Sequence, residues 1–140
     1  MIKIKVDPAS RRVIINLGKQ VCIHQQHIKS QLHVTGHNVV KNVRNIIKTG
    51  KRSGRIYTFR GRAHQASAPG EAPANRTGRL AGSSSYNVRD YTQMEVGETA
   101  DYALFLEEGT VKMAPRPHLV RAVTKETQSL RVGLESLRKF

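Results

Sequence analysis

Between Val21 and Lys48 the apolar positions Ile28, Leu32, Val39, Val43 and Ile46 or Ile47 follow spacings of three, four and seven, which a helix gathers into one stripe. Gly36 falls inside that stripe. A helix-interior glycine costs on the order of 1 kcal/mol against alanine, so its presence points to a kink or a close contact with another element. Gly50, just after Lys48 and Thr49, gives a stop. A second stripe, Leu119, Val120, Val123, Leu130, Leu134 and Leu137, is broken only at Gly133 and predicts a C-terminal helix, with Arg138 and Lys139 suited to its end.

Elsewhere the period shortens to two. Ile2, Ile4 and Val6 alternate with Lys3 and Lys5, Asp7 to Ser10 interrupts, and Val13 to Leu17 resumes, predicting an N-terminal hairpin. Tyr57 and Phe59 mark a short strand, and Tyr86 to Val88 and Tyr91 to Val96 two more, joined by a turn near Arg89-Asp90. Thr77 can cap a short helix through Leu80. The fold class expected is α+β, a small antiparallel sheet packed against a long helix in the N-terminal half and a C-terminal helix, with a long basic extended loop.

That loop is residues 51–76. Arg52, Arg55, Arg60 and Arg62 make it basic, and Ala66 to Ala74 offers little to bury. Its prolines, Pro69 and Pro73, stiffen it into an arm that can reach a neighbour. A further segment, Asp101 to Val123, is organised by its punctuation. Asp101 can cap a short helix on which Tyr102, Phe105 and Leu106 share a face, Tyr102 and Phe105 being expected in the core, and Gly109 can stop it in a left-handed conformation. Pro115 and Pro117 fix the backbone on either side of Arg116, which should present that guanidinium rather than bury it. Pro117 also suits the first turn of the following helix.

Composition narrows the partners. The chain has 140 residues, enough for one domain with a modest core, and 24 Lys plus Arg against 10 Asp plus Glu give it a net charge of +14. Such a surplus attracts polyanions or acidic protein surfaces, so a nucleic-acid binder, a subunit facing an acidic ring or a DNA conduit, and a merely basic protein all remain open. Cys22 is the only cysteine, which excludes an internal disulfide. No apolar run is long enough to cross a bilayer and the first residues do not resemble a signal peptide, so synthesis in the cytoplasm and no membrane contact are expected.

Candidate chemistry is sparse. His33 and His37 lie four apart and His24 and His27 three apart on the first helix, but neither pair has a third ligand nearby in sequence, and no metal or other cofactor is expected. Cys22 has no base placed beside it by sequence. Glu107 and Glu108 diverge by about 100° on a helix and cannot flank one bond as an acid and base pair. Glu107 suits instead a partner arginine, Arg116 of the same or a neighbouring copy, or else simply faces solvent. Gly70 and Gly78 do not belong to a phosphate-binding loop. Tyr57 and Phe59 within the basic run can stack on single-stranded nucleic acid or simply form a strand face. A hydrolase or nuclease would need a cluster of acid, base or metal ligands that is missing here.

Two blocks carry a resemblance. Ala66-Ser67-Ala68-Pro69-Gly70-Glu71-Ala72-Pro73 is followed by Thr77-Gly78-Arg79-Leu80, and then come Tyr102-Ala103, Glu107, Gly109-Thr110, Met113, Pro115-Arg116-Pro117 and Leu119. In that order they resemble the head-tail joining proteins of long-tailed bacteriophages, the neck or tail-completion family also labelled minor tail components. The sequence departs from that pattern at Ser84, where the family tends to carry an apolar residue, and at His118, where it commonly has phenylalanine. The resemblance implies a non-enzymatic virion protein at the neck, a homo-oligomeric ring, hexameric first and dodecameric second, around the DNA path. Its partners would be a head connector or stopper protein and a tail terminator or tube protein, with non-specific contact to packaged DNA. The resemblance adds that the Tyr102–Phe105 segment and the Pro-Arg-Pro loop shape the subunit surface. The two patches expected to make contacts are the Lys51 to Arg76 arm and the Met113 to Pro117 segment. The contact residues expected are Arg52, Arg55, Arg60, Arg62, Pro69, Pro73, Arg79, Tyr102, Glu107, Met113, Pro115, Arg116 and Pro117. The alternative is a stand-alone basic nucleic-acid-binding domain.

Overall fold

The computed structural model describes residues 8–137, and side chains within residues 21–136. Its elements are α1 (Pro8–Thr49), β1 (Ile56–Phe59), β2 (Arg62–Gln65), α2 (Arg79–Ser83), β3 (Ser84–Val88), β4 (Met94–Glu98), α3 (Ala103–Glu108) and α4 (Leu119–Leu137). The chain is α+β, with a long helix in the N-terminal half, a C-terminal helix and two small antiparallel sheets. No helix among the described residues is long and apolar enough to cross a membrane.

The α1 helix is longer than the periodicity predicts. Val13 to Leu17 are helical, so the expected N-terminal hairpin is not formed, and its other strand, Ile2 to Val6, lies outside the described residues. Pro8 opens the helix, a position where a missing N–H costs nothing, so a helix runs from Pro8 where an interruption between strands was read. At the other end Gly50 donates its N–H to the Ile46 carbonyl at 2.9 Å and the helix stops as expected.

The core lies where α1 crosses α4 and the β3–β4 hairpin. Val39, Val43 and Ile47 of α1 are buried with Leu80, Ala81, Ala100, Ala103 and Ala122, and Ile46, Val96, Leu106, Leu119 and Val123 pack around them. Gly36 has the close contact its position implied. A Cβ there would collide with the Tyr86 ring on β3, so glycine lets the strand approach the helix. On α4 the inward stripe runs through Leu119, Ala122, Val123 and Glu126, while Val120 is exposed. Asn42 on α1 donates its side-chain N–H to Glu126 Oε1, joining the two helices by a polar contact.

Residues 51–76 are more ordered than an extended arm. Arg60 and Gly61, both at positive φ (49° and 75°), make a two-residue turn that pairs β1 with β2, Phe59 opposite Arg62 and Ile56 opposite Gln65. Beyond the strands, Gly54 donates to the Ala66 carbonyl and Ala66 to that of Arg55. The following loop is tied down by Glu71, whose carboxylate accepts from Ser53 Oγ (2.5 Å), Ala68 N (2.8 Å) and Ser53 N (3.0 Å). Those bonds, led by the Ser53 hydroxyl, hold its pKa below the ordinary value. Ser67, Ala72 and Pro73 are buried by this folding back, although the composition offered little to bury.

The short helices differ in detail from expectation. Thr77 does not cap α2, which starts after Gly78 in the left-handed conformation, with Asn75 Oδ1 accepting the Gly78 N–H at 2.9 Å. Asp101 does not cap α3 either, and its exposed carboxylate lies 3.7 Å from Arg79. Buried Ala103 sets the inward face of α3, which one helical turn continues through Leu106 and Glu107. Tyr102 and Phe105, expected in the core, flank that face and are exposed.

Candidate functional site

The site is built from the segment between α3 and α4. Gly109, at φ 79°, ends α3 with its N–H on the Phe105 carbonyl, and a Cβ there would lie 2.7 Å from the Met113 oxygen. Thr110 and Met113 exchange both backbone hydrogen bonds, at 2.8 and 3.1 Å, closing a tight turn that carries exposed Val111. The chain then doubles back along α3, and Arg116 N donates to the Leu106 carbonyl at 2.7 Å. Gly70 N donates to the Pro115 carbonyl at 3.2 Å, and Arg121 Nη2 to the Gly70 carbonyl at 2.8 Å. The loop after β2 is thereby docked against the Pro-Arg-Pro segment. α4 begins at Leu119, two residues past Pro117.

A buried polar corner fixes this return. The fully buried His118 ring places Nε2 2.8 Å from Glu98 Oε2, while Nδ1 faces the Arg116 carbonyl at 3.1 Å and Glu107 Oε2 at 2.9 Å. Acceptors at both nitrogens favour the doubly protonated ring, the only form with two N–H donors. Burial alone would depress the imidazolium, but the Glu98 hydrogen bond and charge, the Arg116 carbonyl and the Glu107 charge outweigh it, and the His118 pKa is raised. Glu107 accepts the backbone N–H groups of His118 (2.9 Å), Leu119 (3.1 Å) and Val120 (2.9 Å), three donors that the first turn of α4 cannot otherwise use. Burial raises the Glu107 pKa, yet those N–H groups and the charge on His118 leave it below the ordinary value. Ser84 Oγ donates to Glu98 Oε1 at 3.2 Å. Thus the two positions where the sequence departs from the resembled pattern, Ser84 and His118, both grip Glu98.

On the other side of Arg116 lies an open cleft of about 680 Å³. Tyr57 and His64 of the first hairpin, the Pro73–Leu80 stretch, Tyr102 and Leu106 of the α3 region, and Arg116 form its walls. Three of those residues are arginines, Arg76, Arg79 and Arg116, and no carboxylate lines it. The Arg79 guanidinium lies 5.9 Å from the centre of the Tyr102 ring, and that of Arg76 sits 4.2 Å over Phe59. Arg116 is only half exposed, and its Nε is buried with no hydrogen-bond partner among the described residues. It is therefore less freely presented than its flanking prolines implied. The expected Glu107–Arg116 pair is not formed within the chain, because His118 and the start of α4 occupy Glu107.

Of the other residues singled out from the sequence, Arg79 and Tyr102 line the cleft with Pro73, which is buried, whereas Arg60 and Arg62 border an adjoining hollow on the hairpin with Phe59 and Arg76. Arg52 and Arg55 are exposed at the hairpin base, Pro69 and Pro115 are exposed, and Met113 and Pro117 are half-buried in the return. Cys22 is exposed, as are His24, His27, His33 and His37, and His33 packs edge-on against Tyr86. Among the described residues no group of three or more His, Cys, Asp or Glu is placed to hold a metal ion.

Sequence reasoning missed Glu98 and the structural role of His118. Glu98 lay at the end of a strand with no motif around it. His118 was visible as a departure from phenylalanine, and the polar departure at Ser84 was the second half of the same signal. No protein-family model matches the chain, and no curated protein or solved structure matches it.

Proposed function

We propose that this chain is a non-enzymatic structural protein of the phage neck, a ring subunit that joins the head connector to the tail around the DNA path. The observation that supports this reading is the convergence of the two blocks on which the resemblance rests. They are separated in sequence by the whole β3–β4 hairpin, yet Ala66, Pro73, Thr77, Gly78, Arg79 and Leu80 of the first meet Tyr102 and Arg116 of the second around one cleft. Their backbones are joined there by the Gly70–Pro115 hydrogen bond.

That convergence alters the assembly expected from the sequence. In a closed ring one patch meets a different patch on the neighbour. The basic segment and the Pro-Arg-Pro segment form one patch together, so the complementary surface must come from elsewhere on the next subunit or from the connector or tail protein. Imaging purified particles at the collar between capsid and tail tests this reading. Density for the chain in the collar with the cleft in contact is expected, and particles lacking Arg116 should accumulate as separate heads and tails. A collar without this polypeptide would overturn it.

A second reading has its own support at the first hairpin. Exposed Tyr57 and Phe59 stand beside Arg60, Arg62 and Arg76, and the Arg60 and Arg76 guanidiniums lie 5.5 and 4.2 Å from the Phe59 ring centre. A stand-alone nucleic-acid-binding domain would use such a surface for stacking and phosphate contact. It predicts tight binding to single strands with affinity falling steeply as salt rises, and a monomer or dimer in solution.

A further inference from the structure

We propose that the basic cleft captures an extended acidic peptide segment of another protein, with Arg116 engaging the carboxylate that enters deepest. The inference rests on the cleft being an interface, as above, but not on which assembly it serves. Arg116 is a half-buried cation whose buried Nε has no hydrogen-bond partner among the described residues. Its backbone is held at both ends, by the Leu106 carbonyl and by His118, so the side chain leaves from a fixed point. Unmatched donors of this kind are costly inside a protein, and an acceptor from outside recovers the loss.

The walls define that acceptor. Arg76 and Arg79 add positive charge, the exposed Asp101 carboxylate 3.7 Å from Arg79 lies outside the lining, and Tyr57 and Tyr102 offer amphipathic faces to a peptide backbone. The planar guanidinium fork matches a carboxylate through two parallel bonds. A second copy of this chain is a poor occupant. Its only adjacent acidic pair is Glu107-Glu108, and Glu107 is committed to α4. Duplex DNA is also poorly matched, because its convex phosphate ridges cannot follow a concave wall down to a half-buried arginine.

The test is fluorescence anisotropy with labelled hexaglutamate at physiological salt, beside labelled oligothymidylate of matched charge. Arg116→Ala should weaken hexaglutamate binding about tenfold, and Arg116→Lys, which keeps the charge but loses the fork, should lose most of the same affinity. Lys125→Ala, which removes an equal charge from the exposed side of α4, should change it less than about twofold. Thermal melting of each variant checks the fold. Equal losses for the Arg116 and Lys125 variants, or an equal dependence of oligothymidylate binding on Arg116, would overturn the inference. Particle joining judges the neck reading separately, so failure of one does not carry the other.

Discussion

Two charged regions meet at Arg116 and differ in nearly every physical respect. In the corner formed by Glu98, Glu107 and His118 one buried imidazole ring lies between two carboxylates, and Glu107 also satisfies the first turn of α4. In the cleft, arginines gather with aromatic rings and no lining carboxylate, open to solvent. The corner is satisfied within one chain, whereas the cleft is the surface proposed to meet a partner. Substitutions in the first should therefore change stability, and those in the second should leave it nearly unchanged.

The largest effect is expected from Glu107→Ala, which strips α4 of its acceptor and leaves a buried imidazolium short of a partner. It should lower unfolding free energy by about 3–5 kcal/mol, read from urea denaturation. His118→Phe alone strands the Glu98 carboxylate, whose side chain is 3% exposed, and should cost about 3 kcal/mol. Adding Glu98→Leu and Ser84→Val to it should recover most of that loss, because no carboxylate is then buried beside the phenyl ring without a partner, while Glu107 keeps its three backbone donors. A triple variant as unstable as His118→Phe would show that the polar contacts themselves hold the return.

Stability should also depend on pH through this corner. The raised His118 pKa contributes stability fully present below the ordinary value of 6.5 and lost as pH rises through the elevated one. The lowered Glu107 pKa contributes stability present above 4.5 and lost as pH falls through the depressed one. A plateau between those flanks is expected in denaturation midpoints measured across pH. His118→Gln should abolish its alkaline fall and leave the acid one. The smallest stability effect is expected in the cleft, where Arg116→Ala should shift unfolding free energy by less than about 1 kcal/mol, since lost stem packing is offset by removing an unmatched donor. A larger loss in chemical denaturation would make Arg116 part of the corner and erase the contrast.

The pattern of the sequence was sufficient for some of this and silent on the rest. Stripes at helical spacing reported α1 and α4 because a helix must bury one face whatever it packs against, and the glycine at position 36 announced a close approach without naming Tyr86. The N-terminal hairpin was misread because a β-branched run such as Val13 to Ile15 is compatible with either state, and Pro8 admits a helix start as readily as a turn. β2 was missed because Arg-Ala-His-Gln has no strand signature, although Arg60-Gly61 could have announced its turn.

By itself the sequence determined the two helices, the basic surplus and the stiff frame around Arg116, because these follow from local periodicity, composition and proline geometry. Tertiary structure alone decided that Ser84, Glu98, Glu107 and His118 share one buried corner, and that Arg76, Arg79 and Arg116 share one cleft. Charges distant along the chain become partners or remain unmatched only when packing sets their distances and removes water between them, and no local pattern encodes that.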